Sequence, residues 1–362
     1  MKSMRNRRIS GSEALFEAHQ QSLKKFKNLF LMGEGINDPG GIFGTTTNLF
    51  KKFGSSRVIE LPISENANTG IAIGLCLMGN RVLITHQRVD FALLSIEQIF
   101  NTAAKTFFVT NKSHTVPLVI RMIIGRGWGQ GPQHSQSLES IFSSIPGLKV
   151  IAPSFPSDMK GLLNASIADN NPVIFLEHRW SHFAQGNVKK EYYKDTFKSK
   201  IVKKGKDITV VCYSYNVIEV LETQKYLSKL NIELEIIDLR ILRPIDYNPI
   251  IKSLKKTGRL IVLDIGHKIL GLGSEIVSHI SELHFDCLTT SPLRLGLPGY
   301  PTPSSRYLVR DYYINHLSIF KSCIKSMNFK MTNQIKNIEI EIKKYYNSIE
   351  FDKPHKHFKG PF

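Results

Sequence analysis

Two residues of this 362-residue chain pair a proton-transferring side chain with a neighbourhood suited to using it. Glu65 lies between a strand-like run, RVIELPI (57–63), and a helical pattern, NANTGIAIG (66–74). In doubly wound sheets ligands collect at the carboxyl ends of strands, so a carboxylate there is placed to act on one. The alternative is local: Ser64 or Asn66 caps the helix, and Glu65 simply favours its N-terminal dipole. His134 closes a glycine-rich loop, GRGWGQGPQH (125–134), at the expected start of a helix in SQSLES. A histidine so placed is held toward its neutral form and open to solvent, which suits acid–base work. Its alternative is one more loop histidine among twelve. Arg88, Asp90, Arg121 and Arg126 fall near strand ends or in the same loop. Such cations hold an anionic substrate or close internal ion pairs, and spacing alone does not choose.

Other chemistries are excluded. The glycines at 125, 127, 129 and 131 fit neither GxGxxG nor GxxxxGK[ST], so dinucleotide and P-loop readings fail. No GxSxG, HExxH or Cys–His pairing is present. Cys76, Cys212, Cys287 and Cys323 are too far apart for a CxxC motif, and a chain of this size needs no disulfide framework. The chemistry is therefore expected to belong to a bound cofactor. No run approaches the roughly 18–20 apolar residues that span a bilayer, and the basic opening has no apolar core behind it. A soluble, cytoplasmic protein is expected.

The elements that must position these residues read as α/β. LFLMGEGI (29–36), RVIELPI, RVLITHQ (81–87), TVPLVIRMII (115–124), KVIAPS (149–154) and PVIFLEH (172–178) are strands. The helical stretches between them include IFGTTTNLFKKF, FALLSIEQIFNTAAK, SQSLESIFSSI and SDMKGLLNASIAD. Continuous apolar strands separated by helices indicate a parallel sheet buried on both faces. A second, smaller alternation follows, with strands in ITVVCYS, LEIIDLR, RLIVLDIG and CLTTSPLRL and helices around 216–230, 248–257 and 272–283. The expected organisation is a first domain over 1–185, a lysine-rich linker over 186–206, a second domain over 207–325 and a charged tail over 326–362. The formal charge of +18 follows this division. Fifteen of those positives lie in residues 1–8, 186–206 and 321–362, which reads as solvated periphery and makes nucleic acid an unlikely partner.

With Glu65, the glycine loop and His134 in view, the chain resembles the β subunits of thiamine diphosphate-dependent 2-oxo acid dehydrogenases of the pyruvate and branched-chain type, within the transketolase-like family. The resemblance rests on FLMGEGI, PISENANTGIAIGLCLMG, VDFALLSIEQIFNTAAK, GPQHSQSLESIFSSIPGLKVIAPSFPSDMKGLL, DNNPVIFLEH and LEIIDLRILRPID, and covers about residues 10–310. It implies a transketolase-like pyrimidine-binding domain followed by a transketolase C-terminal-like domain. It implies that Glu65 hydrogen-bonds the aminopyrimidine of thiamine diphosphate, with Phe91 packed on that ring and Gln87 beside the cofactor. His134 would assist acyl transfer to a lipoyl group carried by an acyltransferase. Backbone carbonyls near Leu118, Ser166, Ile167 and Asp169, with Asn171, would form a potassium site. The family holds the diphosphate through Mg²⁺ with GDG followed by NN, and this chain has no GDG. The resemblance therefore implies a separate α subunit, an α2β2 assembly and inactivity of the chain alone.

Three departures bear on the substrate. THQRVDF sets Thr85 and Arg88 where the family usually has an acid and a Phe, Gly35 replaces an acid, and the loop GRGWGQG is unusual. Arg88, Arg126 and Trp128 would then shape a larger or more anionic pocket. Two alternatives stay open at this point: a transketolase-like or carboligating transferase acting on an anionic or sugar-type substrate, and a non-catalytic scaffold.

Overall fold

The computed structural model describes residues 7–126 and 129–349, so Trp128 lies outside the described residues. The apolar runs become strands covered on both faces, most completely in Leu118–Ile124 and Val173–His178, where every residue is buried. Seven strands form the first sheet, in the order Ile241–Arg243, Lys149–Ile151, Val173–His178, Leu118–Ile124, Arg81–His86, Leu29–Gly33 and Val58–Glu60. All neighbours are parallel except the first pair. The second sheet has five strands, in the order Leu293–Leu297, Leu260–His267, Ile208–Cys212, Leu234–Asp238 and Lys200–Lys203, the last pairing antiparallel. These are mostly parallel sheets flanked by helices, the α/β architecture that the alternation predicts.

The two sheets are not independent. Ile241–Arg243 leaves the second half of the chain to pair with Lys149–Ile151 at the edge of the first sheet. One apolar cluster joins Ile84, Ile120 and Ile174 of the first sheet to Val211, Ile237 and Leu260 of the second. The lysine-rich stretch is also structured. Gln185–Asn187 pairs with Arg8–Ser10, and Lys200–Lys203 forms the edge of the second sheet. Lysines on an edge strand discourage further strand addition, which gives that charge a structural use. In the tail, the helix Asn333–Ser348 buries Ile335, Ile338 and Ile342 in the core of the second sheet. No helix among the described residues is long and apolar enough to cross a membrane.

The helices Asn248–Thr257 and Leu272–Leu283 occupy the spans their periodicity predicts. SQSLESIFSSI does not: only Glu139–Ser143 is helical. Residues 135–138 are held instead by the preceding loop, whose base is closed by a hydrogen bond from the Gly125 N–H to the Gln136 carbonyl (3.2 Å).

Candidate active site

Glu65 is the first residue of the helix Glu65–Leu77, entered from the carboxyl end of the strand Val58–Glu60. Ser64 makes no side-chain cap. Asn68 ties the turn instead, its Nδ2 donating to the Pro62 carbonyl at 2.8 Å. Glu65 is only 6% exposed, and among the described residues no hydrogen bond reaches its carboxylate. The carboxylate keeps the little access that the residue has, so this acceptor is open to a donor that arrives from outside the chain. It stands at a helix N-terminus, where an anion is favoured.

Two further carboxylates stand nearby. Glu60 accepts from the Gly35 N–H (2.6 Å) and the Asn37 N–H (3.1 Å). The Glu34 carboxyl is pushed up by its own burial and then by the charges of Glu65 and Glu60. Gly35 has φ +70°, and a Cβ there would lie 3.0 Å from Asp38 and 3.2 Å from the Gln87 amide. The turn itself thus accounts for a glycine at this position. Gln87 donates from Nε2 to the Glu34 carbonyl at 3.0 Å.

Phe91 meets His134 edge to face, with ring centroids 5.3 Å apart and planes at 86°. His134 lies five residues before the helix Glu139–Ser143, not at its N-terminus, so no helix dipole acts on it as the sequence suggested. It is held by the loop and by Phe91.

The expected cations are internally engaged. Arg88 is buried and donates from Nη2 to Gln130 Oε1 at 2.7 Å, with Nη1 3.5 Å from the Gly125 carbonyl oxygen. Arg126 is stacked 3.6 Å from the Trp180 ring and 4.9 Å from the Tyr313 ring, and lies 3.7 Å from Glu219. Arg121 is wholly buried in mid-strand and forks onto Glu177. Gln130, Gln136 and Thr69 were not singled out from sequence. Thr69 lies 3.3 Å from His86 Nε2, and burial drives His86 down to about 4. Isolated amides and hydroxyls carry no spacing signal; only the fold pairs Gln130 with Arg88, Gln136 with Asp90 and Thr69 with His86.

The carbonyl cluster expected to hold potassium already contains cations. Arg81 Nη1 donates to the carbonyls of Ile167 (3.0 Å) and Asp169 (2.6 Å), and Lys149 pairs with the Asp169 carboxylate. The Ser166 carbonyl accepts from the Asp169 N–H at 3.2 Å, and the Asn171 N–H donates to Asp169 Oδ1 at 2.9 Å. Leu118 begins the adjoining strand. A donor set that already holds a guanidinium and an ammonium does not fit a further cation.

Comparison with known proteins gives the family and the fold. Residues 7–182 match the transketolase pyrimidine-binding domain and residues 198–318 the transketolase C-terminal domain. The chain is 38% identical to a pyruvate dehydrogenase E1 component subunit beta of Porphyra purpurea, over 80% of this chain and 88% of the relative. It is 36% identical to an acetoin:2,6-dichlorophenolindophenol oxidoreductase subunit beta of Cupriavidus necator, over 85% and 94%. A mitochondrial pyruvate dehydrogenase E1 component subunit beta of Caenorhabditis elegans is 35% identical, over 87% and 92%. The fold also matches a split-gene transketolase solved as an inactive beta4 tetramer, at TM-score 0.70 and 18% identity, over 89% of this chain and 99% of that one. With these lengths and identities behind it, the chain belongs to the family of pyruvate dehydrogenase E1 and acetoin dehydrogenase β subunits.

Proposed function

We propose that this chain is the β subunit of a thiamine diphosphate-dependent 2-oxo acid dehydrogenase. With a separate α subunit it decarboxylates a 2-oxo acid oxidatively and passes the acyl group to lipoamide. The observation that carries this reading is the unpartnered Glu65 carboxylate at a strand end, together with the Phe91–His134 ring contact that the glycine-rich loop makes.

Glu65 fits the aminopyrimidine of thiamine diphosphate, because a carboxyl and a pyrimidine ring nitrogen can share one proton in a single hydrogen bond. When bound, the cofactor supplies the carbanion chemistry by which a 2-oxo acid loses carbon dioxide. Glu65 would hold that proton between its carboxyl and the ring nitrogen, and Phe91 would give the ring an apolar wall. His134, in edge-to-face contact with Phe91, would exchange a proton with the lipoyl acceptor. Gln87 is tied to the Glu34 carbonyl. Mg²⁺ and the diphosphate would be held by a GDG…NN sequence in the α subunit, so the cofactor would lie between subunits of an α2β2 assembly. No role is given to potassium.

The surface beside Glu65 supports a partner there. Ile63, two residues before Glu65, is 85% exposed, and Ile71 on the same helix is also exposed. Ile63→Asp is expected to weaken α–β association and leave the chain folded; gel filtration of the co-expressed pair reads the first and circular dichroism the second. The α–β complex should reduce an artificial acceptor only with thiamine diphosphate and a 2-oxo acid. Glu65→Gln should lower that turnover by about 100-fold or more, the range for losing a positioned proton-transfer group. Unchanged turnover in Glu65→Gln would sink the assignment.

A further inference from the structure

We propose that Arg88 is a positioning residue that fixes residues 129–136, and through them His134, and does not itself bind the substrate's anionic group. The inference rests on the reading above that His134 serves acyl transfer.

The loop has little to hold it from within. Gly125, Gly129 and Gly131 all have positive φ, at +89°, +79° and +74°. Among its described residues the Gly125 N–H bonds the Gln136 carbonyl at the base and the His134 N–H lies 3.4 Å from the Gly131 carbonyl. Arg126 is held from outside by Trp180, Tyr313 and Glu219, and the ties to Gly125 and to residues 130–136 come from one short segment. Arg88 precedes the helical turn Val89–Ala92 and reaches both Gly125 and Gln130. Asp90 Oδ1 accepts from Gln136, at 2.9 Å from Nε2 and 3.4 Å from the backbone nitrogen. Phe91 supplies the ring against which His134 rests. Three side chains of residues 88–91 thus grip the loop at its base, its middle and its histidine.

Burial decides between holding the loop and holding a substrate. Arg88 is 5% exposed and its Nη2 is spent on Gln130, so a substrate carboxylate would have to displace an existing charge-assisted hydrogen bond. Two of the departures from the family pattern, Arg88 and the loop containing Gln130, touch each other. They form one device.

The test uses the α–β holoenzyme carrying Arg88→Met, Gln130→Leu or both, with thermal midpoints as a check on folding. Misplacing His134 should lower kcat for transfer to a lipoyl acceptor on the order of 10- to 100-fold. The KM for the 2-oxo acid should move less than about threefold, because no ground-state contact is lost. The double variant should be no worse than the poorer single one, since both remove the same tie. Arg88→Lys, which keeps a donor, should recover part of the rate. A KM for the 2-oxo acid raised tens of fold with kcat held, or additive losses in the double variant, overturns the proposal. Tryptic cleavage after Arg126 in the full chain should be faster in Arg88→Met and in Gln130→Leu than in the wild type, and equal rates also overturn it. If the wild-type holoenzyme turns over no 2-oxo acid, the reading of its function fails, and the tryptic rates still judge the clamp.

Discussion

The Glu177 carboxylate has no access to water, yet it is ionised. Arg121 donates to both of its oxygens, and His182 Nε2 adds a third contact at 2.7 Å. Burial by itself would push Glu177 up; Arg121 and then His182 outweigh it and bring the carboxyl down to about 2. His182 is lowered to about 4, chiefly by burial, so at neutral pH it is an uncharged donor. Glu177→Gln would leave Arg121 buried beside a neutral amide, with an expected loss of about 3–5 kcal/mol in urea unfolding. Replacing the pair together, Arg121→Met with Glu177→Leu, should cost less than the single change, and a double variant that is worse would refute this account. Because the folded pKa lies below the ordinary 4.5, the contribution is present above about pH 4.5 and fades as the pH falls toward 2. Arg121 also marks a limit of reading residues one at a time. Its type allowed a substrate cation, yet its place inside VPLVIRMII carried the better clue, since an arginine in a strand buried on both faces must bring its own counter-charge. Glu65 was legible for the opposite reason: its position between a strand and a helix already placed it at a strand end.

Elements were readable where one periodicity ran uninterrupted. The strands and the helices Asn248–Thr257 and Leu272–Leu283 are of this kind, because apolar spacing both builds and bounds them. The 125–138 segment was not, because its conformation is set by partners far away in sequence. From one side Arg88 and Asp90 hold it; from the other, Ser304 comes close to Gly129 and Gly131. A Cβ at Gly131 would strike Ser304 Oγ, and the residue has φ +74°, so alanine there meets both a contact and a backbone strain. Gly131→Ala should lower stability by about 1–3 kcal/mol, measured by thermal unfolding. Ser304→Ala in the same chain removes the contact but not the strain, so it should restore part of the loss and no more. Full restoration would mean that the positive φ carries no cost. The lysine-rich stretch was unreadable for a related reason: its two edge strands exist only through pairing with Arg8–Ser10 and Leu234–Asp238.

Across the whole molecule, exposed ion pairs such as Lys225–Glu222 and Lys229–Glu341 contribute little to stability. The electrostatics that matter lie at the seam between the two sheets. Glu139, from the first half of the chain, meets Tyr213 and Asp264 from the second. The Tyr213 hydroxyl lies 2.7 Å from Glu139 Oε1 and 3.2 Å from Asp264 Oδ1, while its oxygen accepts from the Ile265 N–H at 3.3 Å. One hydroxyl has one hydrogen, so both carboxyl contacts are hydrogen bonds only when one of the acids is protonated. Burial, then the charge of Glu139, pushes Asp264 up to about 7, and burial raises Glu139 as well; His267 and Arg294 face the cluster and act the other way. A folded pKa above the ordinary 3.8 means stability is fully present below about pH 4 and declines as the pH rises to about 7. Within that window each pH unit costs about 1.4 kcal/mol for a group of this kind. Asp264→Asn keeps an acceptor for the Gly273 N–H, which lies 2.9 Å from Asp264 Oδ1, and cannot ionise. The thermal midpoint of the wild type should fall between about pH 5 and pH 7 more steeply than that of Asp264→Asn. Asp238, raised to about 8 mainly by burial, adds a decline of the same sign to both proteins and cancels in their difference. Parallel midpoint curves for the two would show that the seam holds no shared proton.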